Sequence, residues 1–102
     1  MTFKEYYQTY LTLHKNKWNR RLHVVGQLAT ILYFALCSYL CAYKSLYFLA
    51  AFMALPFIVY PFAWSGHFFI EKNKPAAFKN PLWAKAADWV MLKDIIIGKI
   101  KL

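Results

Sequence analysis

The sequence predicts an all-α membrane protein: a two-helix transmembrane hairpin flanked by N- and C-terminal interfacial amphipathic helices. Three observations point there. Hydrophobic-class residues make up 61% of the 102 residues and charged residues 17%, more apolar surface than so short a chain hides in a core of its own. Two stretches carry no Lys, Arg, Asp or Glu: residues 22–43, with 22 residues, and residues 45–70, with 26. A helix of roughly 20 predominantly apolar residues crosses a bilayer core. The 13 Lys+Arg against 4 Asp+Glu also gather outside those stretches. Basic excess suits nucleic acid or an anionic lipid surface. The apolar content selects membrane lipids and leaves no expected nucleic-acid partner.

Each element has its own signal, and together they make one domain over residues 1–102. The first 17 residues lack a basic region leading into a short apolar stretch with a small-residue cleavage site. The first hydrophobic segment is therefore expected to be retained. Phe3, Tyr6, Tyr7, Tyr10, Leu11 and Leu13 share a helical face, which predicts an amphipathic helix lying in the interface. Only Lys44 separates the two spans, so a tight turn there makes them antiparallel. Lys15, Lys17, Arg20 and Arg21 precede the first span, and Lys72, Lys74 and Lys79 follow the second. The positive-inside bias then puts both termini in the cytoplasm. Tyr43 and Tyr47 near the turn, and Trp18 and Trp64 at the other face, suit an aromatic belt. Pro56 and Pro61 each remove a backbone donor and crowd the carbonyl four residues earlier, so the second span should be kinked. Cys37 and Cys41 read as small buried hydrophobes rather than a metal pair. Asn80, with Pro81 after it, should cap a helix over about 81–93 whose packed side carries Trp83, Ala86, Ala87, Val90 and Met91.

Histidine is the informative residue. His23 lies 21 residues before Lys44 and His67 lies 23 after it. In an antiparallel hairpin these near-equal spacings put both rings at one depth, roughly 30–35 Å of helix from the turn. That is about one bilayer core, so both belong near the cytoplasmic face. His14, nine residues before His23, can fold back over the same place. Glu71 follows His67 by four residues and shares its helix face. Three imidazoles and a carboxylate suffice for a divalent metal, and imidazole with carboxylate suits zinc and iron(II) alike. Spacing alone leaves open iron or zinc, and an enzyme or a structural metal site. Asn16, Asn19 and Asp88 are the expected outer partners. Asn19 stands one turn before His23, placed to take the proton of its second ring nitrogen or to cap the helix. Asp88 is placed to pair with Lys85.

At these residues the chain resembles a known family. His14–Lys–Asn16–Lys–Trp–Asn19–Arg–Arg–Leu–His23 matches His-x-Asn-x-x-Asn-x-x-x-His, and Gly66–His67–Phe–Phe–Ile–Glu71 with Pro75–Ala76 matches Gly-His-x-x-x-Glu followed by Pro-Ala. Both blocks are similar to the Mpo-like family of membrane-bound, iron-dependent 2-hydroxy fatty acid dioxygenases. That resemblance implies a multi-pass protein of the endoplasmic reticulum or a bacterial inner membrane. It implies Fe²⁺ held by His14, His23 and His67, with Glu71 as a ligand or base. It also implies alpha-oxidation of a 2-hydroxy fatty acid to the acid one carbon shorter. Arg20, Lys72 or Lys74 would meet the substrate carboxylate. Longer members carry further hydrophobic segments between the blocks, where this chain has one turn, and tend to have Gln at the place of Ala63. Helices from a second copy would supply the missing wall, hence an expected homo-oligomer. Two other classes remain: a non-enzymatic lipid-binding or scaffold protein with a structural metal or none, and a zinc hydrolase.

Overall fold

A computed structural model describes residues 1–40 and 50–102. The expected turn at Lys44, together with Cys41, Tyr43 and Tyr47, lies outside the described residues. Those described are helical, with no strand among them.

Helix α1 spans Phe3–Thr12. The Thr2 side chain starts it by accepting from the Glu5 N–H at 3.2 Å, an N-cap of the usual kind. A short link then leads to α2, Lys17–Leu40, of 24 residues and about 36 Å at 1.5 Å per residue. Asn16 Oδ1 accepts from the Trp18 N–H at 2.8 Å, so α2 begins five residues before the apolar stretch does. Hydropathy marks where lipid is preferred; the cap marks where the helix starts.

Residues Ala50–Glu71 form a second helical stretch long and apolar enough to cross a membrane. It is broken rather than gently bent. Pro56 sits in a single 3₁₀ turn, Leu55–Phe57. Pro61 sits in the first turn of the short helix α3, Tyr60–Ser65. There its missing N–H leaves no helical bond unmade. A π-helical turn, Gly66–Glu71, follows and ends at Lys72 in the left-handed conformation, φ 58°.

Contacts along α2 run in reverse order along the second stretch. Gly66 meets Asn19, Gly26 meets Val59 and Phe62, and the Tyr33 hydroxyl donates to the Ala51 carbonyl at 2.8 Å. The two stretches are therefore antiparallel, as an expected hairpin requires. Glycine is needed at both crossings. A Cβ on Gly66 would fall 1.9 Å from Asn19 Oδ1, and one on Gly26 2.9 Å from the Val59 side chain.

The last helix, α4, spans Pro81–Ile96, capped by Asn80 Oδ1 accepting from the Trp83 N–H at 3.2 Å. It continues three residues past the expected end. Its buried stripe is Ala84, Ala87, Asp88, Met91 and Leu92, at helical spacing. Ala86, expected inside, is exposed. The reason is its partner. The two flanking helices pack on each other, with Tyr10, Ala87 and Met91 as the core and Phe3, Tyr6, Tyr7, Leu11 and Ile95 around it. Tyr7 donates to Asp94 Oδ2 at 2.7 Å across that contact.

Candidate metal centre

Three segments carry the three imidazoles: His14 in the link after α1, His23 in α2, and His67 in the π-helical turn. All three are 1–2% exposed. The ring centroids stand 4.5 Å apart for His14–His23 and His14–His67 and 5.0 Å for His23–His67, with planes nearly perpendicular. One donor nitrogen from each lies within 4.8 Å of the others.

The outer nitrogens explain the orientation of the rings. His14 Nδ1 is 2.8 Å from the Tyr10 carbonyl, His23 Nδ1 2.9 Å from the Asn19 carbonyl, and His67 Nδ1 2.7 Å from Asn73 Oδ1. Each of these oxygens only accepts, so each Nδ1 carries the proton, and each Nε2 keeps its lone pair. His14 Nε2 and His23 Nε2 then face each other at 3.1 Å with no proton between them. Two lone pairs that close repel unless a cation lies beside both. Burial, then the neighbouring imidazoles and Arg20, pushes His14 down to about 2 against the pull of the Tyr10 carbonyl. A neutral imidazole is the ligating form. The donor set fits a divalent ion of the zinc or iron(II) kind.

The surrounding residues hold this arrangement. The Tyr10 ring stacks on His14 with centroids 4.0 Å apart, and its hydroxyl donates to Asp88. The Asp88 backbone carbonyl accepts from Gln27 Nε2. Burial raises Asp88 to about 6, with Tyr10, Lys85 and His67 acting in the opposite sense. The expected Asp88–Lys85 pair is replaced. Lys85 Nζ donates to the Pro56 carbonyl at 2.6 Å and lies 4.6 Å over the Tyr60 ring. Asn19 serves His23 through its backbone carbonyl, not its amide. The amide nitrogen lies 3.5 Å from both the Leu13 carbonyl and Glu71 Oε1.

Glu71 turns towards the start of α2, where Oε1 accepts from the Asn16 N–H, and it is not among the three convergent donors. Arg20 donates to the carbonyls of His14 at 2.9 Å, Lys15 at 2.7 Å and Lys101 at 2.9 Å. Lys72 and Lys74 are exposed. Asn73, Tyr10 and Gln27 were not predicted as site residues. Tyr10 and Gln27 carried a signal, each four residues from a histidine; Asn73 meets His67 through the left-handed turn at Lys72.

The histidine cavity shares Asp88 with a second, larger cleft of about 490 Å³. Gln27, Thr30, Ile31 and Phe34 line one side, and Leu55, Val59 and Trp89 face them. Pro56, where the second stretch breaks, is part of its lining.

A family profile described as "2-hydroxy-palmitic acid dioxygenase Mpo1-like" matches residues 1–100. Neither the comparison with curated proteins nor that with solved structures found a match. The profile covers nearly the whole chain, and the chain belongs to the Mpo1-like family.

Proposed function

We propose that this member of the Mpo1-like family is an iron(II)-dependent membrane dioxygenase. Its reaction would convert a 2-hydroxy fatty acid and O₂ into the acid one carbon shorter, CO₂ and water. The observation that carries the reading is the inward set of three Nε2 lone pairs, with every Nδ1 turned to an oxygen. Iron(II) held there by His14, His23 and His67 supplies O₂ activation. The family description supplies the substrate class.

The residues of the chain bind and orient. The cleft starts one helical turn below His23, at Gln27, and runs about 10 Å along α2 to Phe34. Its apolar lining suits an alkyl tail, while the head of the acid reaches the histidines past Asp88. Lys72 and Lys74, exposed after the π-helical turn, would meet the substrate carboxylate. Arg20 fastens the His14 link and the C-terminal tail from beneath. Glu71 ties the link at Asn16 to the π-helical turn through Oε1; as a base it would act through its other oxygen. The outward residues Leu28, Leu32, Leu36 and Tyr39 of α2 support insertion in a bilayer, which the family resemblance would make that of the endoplasmic reticulum or a bacterial inner membrane. The basic flanks support cytoplasmic termini, and a second copy on the same apolar face would complete the wall of the cleft.

Protein purified in detergent and loaded with iron(II) should consume O₂ when given 2-hydroxypalmitate and release the acid one carbon shorter. Iron bound without O₂ uptake would sink the oxygenase. Zinc with O₂-independent turnover would replace it by a hydrolase, and a fold indifferent to any metal would leave a lipid-binding protein.

A further inference from the structure

The three outer contacts of the histidines are not equivalent. His14 and His23 each give their Nδ1 proton to a main-chain carbonyl four residues upstream, at Tyr10 and Asn19. Any side chain at positions 10 or 19 leaves those carbonyls in place. His67 has no such partner to hand. Its Nδ1 makes no bond to the carbonyl four residues upstream, at Ala63. Its Nδ1 instead meets a side-chain oxygen six residues downstream, Asn73 Oδ1, at 2.7 Å.

Three further bonds fix that amide. The left-handed turn at Lys72 folds the chain back, so that the Asn73 N–H donates to the His67 carbonyl at 3.0 Å, beside the Lys72 N–H on the same oxygen. Asn73 Nδ2 donates to the Leu13 carbonyl at 3.1 Å. Leu13 offers only an acceptor there, so the NH₂ must point to it and the oxygen must point to His67. The oxygen then requires the proton on Nδ1 and leaves Nε2 bare. With the proton on Nε2, His67 would aim a hydrogen into the cluster and could not ligate.

We infer that Asn73 is the positioning residue that selects the metal-ligating nitrogen of His67 and, through Leu13, ties that choice to the link carrying His14. The inference rests on the metal reading above, and goes beyond it in assigning a role to a residue outside the histidine set. Partners that orient a ligating imidazole commonly govern metal affinity by about 10–100-fold when removed.

Cobalt(II) titration of detergent-solubilised full-length chain reads the affinity without any turnover. Asn73→Ala should weaken binding about 10–100-fold. Asn73→Asp loses the donor to Leu13 but keeps an acceptor for Nδ1, and should stay within a few-fold of the unsubstituted chain. Equal weakening in both variants makes Asn73 a tether for Leu13 and overturns the inference while the metal reading stands. An unsubstituted chain that binds no cobalt overturns both. Should Asn73→Ala fail to fold, ¹⁵N spectra of the imidazoles in the unsubstituted chain decide. A protonated Nδ1 and bare Nε2 at His67 are expected, and a protonated Nε2 overturns the role.

Discussion

The two ends of α2 are built on opposite terms. From Lys17 to Gln27 the helix buries Asn19, His23, Gly26 and Gln27 against the broken second stretch and α4. From Leu28 to Leu40 it buries Cys37 alone, while Leu32 stands 72% and Tyr39 66% exposed. At the first end an apolar span accepts polar side chains because neighbouring oxygens and amides take up most of their bonds, and the histidine lone pairs gather at one point. At the second end the polar groups are few, with Thr30 and Tyr33 donating to the carbonyls of Gly26 and Ala51, and the outward apolar side chains suit lipid under the proposed membrane reading. A site therefore exists where chain segments crowd one another, and the bare end carries the length that the proposed membrane crossing requires.

Substitutions at the crowded end should be the more damaging, in a definite order. His23→Ala or His67→Ala removes one of three ligand nitrogens and should weaken metal binding by more than about 100-fold, measured as bound metal after dialysis, with the helical circular dichroism retained. Gly66→Ala comes next. Its methyl would fall 1.9 Å from Asn19 Oδ1, and such overpacking costs about 1–3 kcal/mol, read as a lower denaturation midpoint. Ser38→Leu, on the exposed end of the same helix, should move that midpoint by under about 0.5 kcal/mol. Equal effects at the two positions would erase the contrast.

A smaller effect is expected in the cleft between the ends. Thr30→Trp fills the space proposed for the alkyl tail. It should raise KM several-fold for a long 2-hydroxy acid, less for a short one, with metal affinity unchanged. A KM rise independent of chain length would place the tail elsewhere.

A pH-dependent effect concerns Asp88, which burial raises from its ordinary 3.8 to about 6. A carboxyl with a raised folded value binds its proton more tightly folded than unfolded. Its contribution is full below about 4 and is lost as pH rises through about 6. His14, with a lowered value, acts in the opposite sense over the same range, so the difference between the chain and Asp88→Asn is the useful quantity. That difference in stability should fall between about pH 4 and pH 6. A flat difference would mean that Asp88 feels no burial.

Much of this contrast could be read from the residues, for identifiable reasons. Two uncharged stretches and the near-equal distances of His23 and His67 from Lys44 depend only on composition and helical rise, and the structure brings the histidines together as that spacing implies. Asn80 and Pro81 act locally, so the start of α4 was legible as well. The pairing of α1 with α4 was not, because an amphipathic face shows that something covers it and not what. Asn73 was hidden because its role depends on a left-handed lysine, a conformation that lysine rarely adopts. Gly66 could be recognised as part of a motif, but its reason, the amide of Asn19 pressed on its backbone, exists only once the two stretches meet. Glu71 shares a helix face with His67 in a regular helix; the π-helical turn rotates it away to the start of α2.

Elemental analysis with X-ray absorption on the unsubstituted, detergent-purified chain tests the centre most directly. One transition-metal ion per chain, coordinated by three imidazole nitrogens, is the predicted result. A correctly folded chain that stays metal-free when supplied with iron(II), or whose bound ion has no histidine nitrogen around it, contradicts the account.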